Sequence, residues 1–276
     1  MIKLYGYSRN CSKLIPVKFW KFPAGECGLK IENPEDCCNR TKFSITVDFR
    51  GSDDLIYLLL LVDAIRNIEN TDIELFVPYF PYARQDRVMN VGESHSLRVI
   101  ADLIKLCNFK KIVSVDPHSG VLSALFGAGV FEFVDQSVYA KEKLSQYIGN
   151  GMTWVVSPDA GALKKIYKVA KELRLPVIEA RKIRDVSTGD IVATKVESLG
   201  IKDPVDLLVV DDIIDGGKTF IELAKELKQV YNVRHLVLYA SHGIFSKGLE
   251  VLDDYDAIYV YNNMSDHDLE AFNNRK

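Results

Sequence analysis

Apolar residues in the first 50 positions come in short runs at 2–5, 17–22 and 42–49. Polar turns such as Asn33-Pro34-Glu35-Asp36 separate them, so this stretch reads as short strands. The pattern changes at Ser52-Asp53-Asp54, which can cap a helix that runs to about residue 67. A strand at 73–77 leads into the rigid segment Pro78-Tyr79-Phe80-Pro81-Tyr82. Helical spacing over 96–107 puts Leu97, Ile100, Ala101 and Ile104 on one face. A strand at 111–115 then ends in Asp116-Pro117-His118-Ser119, and a short helix runs to 126. After Gly129 the alternation starts again, with a strand at 130–134, a helix at 137–148, a strand at 154–157 and a helix at 163–173. A short strand at 177–178 precedes a polar, charged stretch, 179–190, which reads as a mobile loop. Strands at 191–195 and 206–210, a helix at 220–231 and strands at 235–240 and 257–261 complete the pattern, and the tail from 265 is polar.

Strands alternating with helices predict an α/β chain with mainly parallel sheets. The alternation runs twice and splits near 130–140, which predicts two domains, 1–135 and 136–276. Ligands of such sheets bind at the carboxyl ends of strands. Four polar segments fall there: Arg84–Arg87, Asp116–Ser119, 157–161 and 211–219.

Composition narrows the classes. Of 276 residues, 47% are hydrophobic and 26% charged, as in a soluble globular protein. A formal net charge of −3 argues against a nucleic-acid surface as the main purpose. The 5 cysteines include an adjacent pair and no CxxC spacing, so neither a disulfide framework nor a zinc site is expected. Free thiols, a first segment without a signal-peptide core and a longest apolar run of only 55–62 fit a cytoplasmic protein without a membrane span.

The strongest chemical signal is at 207–219. An apolar β-rich run ends in Asp211, Asp212 and Asp215, and Gly216, Gly217, Lys218 and Thr219 lead into a helix. Read as strand, acidic turn, phosphate loop and helix, it offers carboxylates for ribose hydroxyls or Mg²⁺. Its backbone amides at a helix start suit an anion, so together they fit a sugar phosphate. A P-loop is excluded because Asp212 stands where that motif requires glycine. Arg84 and Arg87 around Gln85 and Asp86 suit a polyphosphate, or equally form an exposed charge cluster. His118 is a weak signal by itself. Asp159 is equally a ligand or an ordinary helix cap. Lys182 and Arg184, with Arg181 beside them, form either a solvated basic loop or a lid over phosphates.

In collinear order, these segments resemble the ribose-phosphate pyrophosphokinases. Phe22-Pro23-Ala24-Gly25-Glu26 resembles the family's nucleotide-contacting Phe-x-x-Gly-Glu segment, and Pro78–Arg87 its Tyr-Ala-Arg-Gln-Asp-Arg stretch. Asp116–Ser119 resembles Asp-Leu-His, 157–161 resembles Ser-Pro-Asp-x-Gly, and Lys182-Ile183-Arg184 a catalytic Lys-x-Arg pair. Residues 210–219 resemble the Val-Asp-Asp-x-x-Asp-Thr-Gly-Gly-Thr ribose-phosphate loop.

The resemblance implies two tandem phosphoribosyltransferase-like domains. It also implies transfer of the β,γ-pyrophosphoryl group of ATP to the anomeric hydroxyl of ribose 5-phosphate. By it, Arg84, Gln85, Asp86 and Arg87 hold ATP, and Phe22 and Glu26 contact the adenine of ATP on a neighbouring subunit of a homo-oligomer. His118 and Asp159 serve Mg²⁺, with His118 also counted as catalytic, and Lys182 and Arg184 neutralise the transferring group. Asp211 and Asp212 hold the ribose hydroxyls, and Asp215, Gly216, Gly217, Lys218 and Thr219 cradle the 5-phosphate.

Two departures stand out. Ala24 replaces the family's Asp or Asn, and the loop reads Asp-Gly-Gly-Lys-Thr. Gly216 removes bulk and Lys218 adds a cation, as a larger, more anionic 5′ substituent would need. Related phage-encoded synthetases act on ADP-ribose for NAD⁺ rebuilding, which makes ADP-ribose the alternative acceptor (in a host cytoplasm, if this chain is phage-encoded). A phosphoribosyltransferase and a non-catalytic homologue of the synthetase are the remaining alternatives. The Arg84–Arg87 and Lys182/Arg184 segments argue against the first, and intact matched residues against the second.

Overall fold

Each half of the chain lays its apolar runs side by side in a six-stranded sheet, within the units Met1–Val134 and Asp135–Lys276. The computed structural model describes residues 1–9, 11–149, 151–184 and 191–275, with the side chains of 182–184 and 191–193 outside that description.

The first unit contains β1 (Ile2–Ser8), β2 (Cys11–Ile15), β3 (Val17–Lys21), β4 (Cys27–Ile31), β5 (Lys42–Val47), α1 (Asp53–Arg66), β6 (Asp72–Val77), α2 (Ser96–Lys105), β7 (Lys111–Val115), α3 (Val121–Phe126) and β8 (Phe131–Val134). Its sheet order is β2-β1-β5-β6-β7-β8, parallel from β5 to β8 and antiparallel around β1. β3 and β4 form a separate antiparallel hairpin. Period-2 alternation on β5 buries Phe43, Ile45 and Val47, against which Leu58, Leu61 and Ile65 of α1 pack.

The second unit contains α4 (Gln136–Leu144), β9 (Met152–Ser157), α5 (Leu163–Leu173), β10 (Val177–Arg184), β11 (Ile191–Val196), β12 (Val205–Ile214), α6 (Lys218–Val230), β13 (Val233–Gly243), β14 (Ala257–Asn263) and α7 (Leu269–Asn273). Its order is β11-β10-β9-β12-β13-β14, with only the β10–β11 pair antiparallel. β12 is central and buried on both faces, which is why it reads as an unbroken apolar run. Leu207 and Val209 face a core with Phe220, Leu223 and Leu227 of α6; Leu208 and Val210 face another with Ile166 and Val169 of α5. Each of these four strand side chains contributes roughly 1.5–3 kcal/mol by burial. The core therefore fixes the strand up to Val210 and sets the position of the acidic residues beyond it.

Five expectations change. Asp211 and Asp212 belong to β12, which runs on to Ile214 beside β13, so the acidic segment is a strand end and not a turn. Residues 179–184 are not loop: Glu179 pairs with β9 and 180–184 with β11, because Ile178, Ala180, Thr194 and Val196 supply a buried face, while 185–190, the rest of the expected mobile loop, lie outside the described residues. β2 and β4 escape the pattern because β2 buries only Ile15, and β4 starts Cys-Gly, with Gly28 under the Trp20 ring. Ser52 stands at the N-cap of α1 but its side chain makes no capping bond; Asp54 instead accepts from the Arg50 and Gly51 amides at 2.7 and 3.2 Å. The polar tail carries α7, anchored by buried Phe272. Among the described residues no helix is long and apolar enough to cross a membrane.

Candidate active site

In the first unit the chain leaves β6 through Phe80-Pro81-Tyr82-Ala83. The Ala83 amide donates to the Phe80 carbonyl at 3.3 Å, and Tyr82 has φ 60°. Proline followed by a left-handed residue marks a type II turn, and a non-glycine there costs about 1–2 kcal/mol. Phe80, buried against Phe126 and Phe131, holds the turn in place. The turn delivers Arg84, Gln85, Asp86 and Arg87 to a cavity of about 620 Å³ that His118 and Ser119 also line.

Arg84, Arg87 and His118 are exposed there. The Arg87 Nε lies 3.9 Å from Asp86 Oδ1, a solvated pair that leaves the guanidinium available to an anion. Glu93 forms part of the wall. It accepts from the Asn90 side-chain amide at 2.7 Å and from the Asn90 and Met89 backbone amides at 3.0 Å, and these bonds hold its carboxyl below the usual range. His118 follows Asp116, which is buried at a φ of 40° while its amide donates to Val134. Such backbone strain at a strand end is what functional sites tolerate. Phe22 and Glu26 sit apart, at the β3–β4 turn, and do not line this cavity; Phe22 is 50% exposed.

In the second unit the strand alternation that buries Val210 turns Asp212 toward α5, where Lys165 Nζ lies 3.4 Å from its Oδ2. Asp211 accepts from the Asp212 amide at 2.8 Å. Burial first, then the Asp212 carboxylate, and more weakly that of Asp159, push the Asp211 carboxyl well above the ordinary carboxylate range. Asp159 therefore shares the field of the pair. Its Oδ1 also accepts from the Ala162 amide at 3.1 Å, which closes the turn before α5; Ala162 is the N-cap of that helix, so Asp159 is not its cap.

Gly217 has φ 78° and its carbonyl accepts from the Phe220 and Ile221 amides at the start of α6. A Cβ there would meet Val251 and Leu252 at 3.1 and 3.2 Å, so glycine is required by conformation and by space. The first-turn amides of this 13-residue helix point out of its start, an arrangement that suits an anion. Lys218 is exposed and Thr219 partly so. Among the described residues no three His, Cys, Asp or Glu side chains form a metal cage. The backbones of Lys182 and Arg184 lie on β10, but their side chains lie outside the described residues.

Two contributors went unforeseen. Lys165 gave no signal in its helical run. The β13–β14 connection folds back on the loop, so that Ser246 Oγ donates to Asp215 Oδ1 at 2.6 Å and the Lys247 stem lies 3.7 Å from where a Gly216 Cβ would stand. Gly243 sets this connection: a Cβ on it would fall 2.2 Å from the ring of Phe245, which is itself buried. Gly243→Ala should therefore cost about 1–3 kcal/mol as overpacking, read as a lowered Tm in thermal denaturation.

The chain matches the family model of the N-terminal domain of ribose phosphate pyrophosphokinase over residues 4–107 and the phosphoribosyl transferase domain over 138–268. It is 30% identical over 244 residues to a ribose-phosphate pyrophosphokinase of Mycoplasma pneumoniae, covering 87% of this chain and 72% of that one. A relative with the same name from Sulfurisphaera tokodaii is 27% identical over 246 residues, covering 87% and 82%. The fold matches the crystal structure of phosphoribosylpyrophosphate synthetase from Mycobacterium smegmatis with a TM-score of 0.72 at 22% identity, covering 90% of this chain and 80% of that one. Both units are thus phosphoribosyltransferase-like α/β domains. The chain belongs to the ribose-phosphate pyrophosphokinase family and is an enzyme of that type.

Proposed function

We propose that this enzyme transfers the β,γ-pyrophosphoryl group of ATP to the C1 hydroxyl of a 5-phosphorylated ribose, with ribose 5-phosphate as acceptor. The observation that carries the reading is the end of β12, where Asp211 and Asp212 run straight into a glycine turn at the start of α6. Carboxylates that accept from sugar hydroxyls thus stand a few residues from amides that bind a phosphate. The exposed arginines and His118 of the first unit line a cavity that suits a polyphosphate.

In the reaction the C1 oxygen bonds to Pβ, the bond from Pβ to the bridging α,β-oxygen breaks, AMP leaves with that electron pair, and the hydroxyl proton passes to solvent. Arg84 and Arg87 hold the phosphates, with Gln85 and Asp86 completing the nucleotide contacts. Lys182 and Arg184 meet the charge that develops on the transferring group. Asp211 and Asp212 orient the ribose so that C1 presents its oxygen. Gly216, Gly217 and Thr219 give backbone amides to the 5-phosphate.

Mg²⁺, when bound with ATP, supplies charge neutralisation of the phosphates. Mg²⁺ commonly sits on substrate phosphates and one or two protein ligands. Asp159, in the field of the Asp211–Asp212 pair, and the exposed His118 would each offer it one such ligand. Phe22 and Glu26, on the β3–β4 hairpin, would serve a neighbouring subunit's ATP, so the reading includes a homo-oligomer.

The altered loop favours a second acceptor of the same kind. Lys218 adds charge beyond one phosphate, as ADP-ribose requires, and Gly216 lacks a side chain where the Lys247 stem borders the loop. Incubation with Mg-ATP and each acceptor separately, with AMP quantified by chromatography, tests both. AMP should form with ribose 5-phosphate; preferential formation with ADP-ribose would select that acceptor, and none with either would overturn the reaction.

A further inference from the structure

We infer that Lys247, on the connection between β13 and β14, is the side-chain cation that binds the acceptor's 5-phosphate. The inference rests on the proposed acceptor and adds to it a residue that no part of the Asp-Gly-Gly-Lys-Thr loop contains. The connection is held against that loop at several points. The Ile244 amide donates to the Ile214 carbonyl at 2.7 Å, at the very end of β12. The Phe245 ring is buried over Gly243 and Val260, and the Gly248 amide closes the turn on the Phe245 carbonyl at 2.9 Å. Ser246 Oγ then donates to Asp215 Oδ1 at 2.6 Å, tying the connection to the first residue of the phosphate loop.

Lys247 is the next residue along the chain, and these contacts place it. Its Cδ and Cε each lie 3.7 Å from a Cβ built on Gly216, an ordinary contact distance. The bare glycine gives the methylene stem a bed, and a β-branched residue at 216 would put a further atom into that stem. The ammonium lies one bond beyond Cε, beside the loop whose amides head α6. Lys247 is exposed, and among the described residues no carboxylate pairs with it.

Lys218 is also exposed, at the first residue of α6. A lysine whose stem is already laid down loses less rotamer freedom when it meets a ligand than one waving in solvent. A helix start, a glycine turn and a seated ammonium then converge on one anion. Ser246 acts as a positioning residue, through Lys247.

The test is calorimetric titration with ribose 5-phosphate of the full-length wild type, Lys247→Ala, Lys247→Arg and Lys218→Ala. ATP is titrated in parallel, and unphosphorylated ribose serves as a control. Lys247→Ala should weaken ribose 5-phosphate binding about tenfold, as expected for one lost charge-assisted contact. Lys247→Arg should recover most of the loss, Lys218→Ala should lose less, and ATP binding should stay within error. A merely structural role would weaken ATP and sugar together and would show in Tm. If the wild type releases AMP with a 5-phosphorylated ribose while Lys247→Ala binds ribose 5-phosphate as tightly as the wild type, Lys247 is overturned and the reaction stands. If the wild type neither binds ribose 5-phosphate nor releases AMP with any acceptor, both fall.

Discussion

Lys182→Ala will lower the turnover of AMP formation about 10²–10³-fold, the range seen when one preorganised charge is removed from a site of developing negative charge. Phosphoryl transfer asks little covalent chemistry of a protein, so position and charge supply the catalysis. The backbone of Lys182 belongs to a strand and pairs with Thr194 in the β10–β11 ladder. A residue placed by a ladder is presented at less entropic cost than one on a free loop, so its loss should fall on kcat more than on the KM of either substrate. Lys182→Arg keeps the charge and should recover part of the rate. The check is steady-state AMP release with Mg-ATP and ribose 5-phosphate, each varied in turn. Turnover unchanged in Lys182→Ala would remove this residue from the mechanism.

The same strand shows where sequence reasoning stops. The charged run that starts at Glu179 hides a two-residue period: among its residues with described side chains, 179–181, Ala180 alone is buried. Its partner β11 lies beyond a stretch of polar residues, so pairing cannot be inferred locally. Long parallel strands are different. β12 is apolar on both faces, and its run of Leu207 to Val210 is legible at once, as is the acidic end it carries. Arg84 to Arg87 and His118 are 31 or more residues apart in sequence, yet line one cavity. That grouping was legible only through the rule that ligands collect at strand ends. Lys165, Ser246 and Lys247 were not legible at all. Each reaches the site through tertiary packing: Lys165 from a helix turned inward by Ile166 and Val169, Lys247 from a connection that Phe245 folds back. Long-range contacts of this kind leave no period in the chain.

Asp211→Asn should make the enzyme more stable at neutral pH and cut kcat/KM for the acceptor about 10- to 100-fold, the loss of one or two hydrogen bonds to a charged group. The Asp211 carboxyl is raised above its unfolded value by burial and by the Asp212 and Asp159 carboxylates. Ionising it therefore costs folding free energy. Its contribution to stability is fully present below the unfolded pKa and is lost as the pH rises through the folded one. Asparagine removes that dependence. It still accepts from the Asp212 amide, as Asp211 Oδ1 now does at 2.8 Å, and its own NH₂ can donate to a neighbouring carboxylate where there is now repulsion.

The same exchange harms binding, since a carboxylate accepts from two adjacent ribose hydroxyls and an amide offers one of them a donor. Thermal denaturation from mildly acid to neutral pH checks the first half. The Tm of the wild type should fall relative to that of Asp211→Asn as the pH rises, with the variant higher at neutral pH. Acceptor-dependent AMP release checks the second. A variant less stable than the wild type at neutral pH would show that the Asp211 charge is already compensated in the free enzyme. A variant that is more stable and fully active would remove Asp211 from the ribose site. Only a carboxylate kept at a folding cost for its ligand gains stability and loses binding in the same substitution.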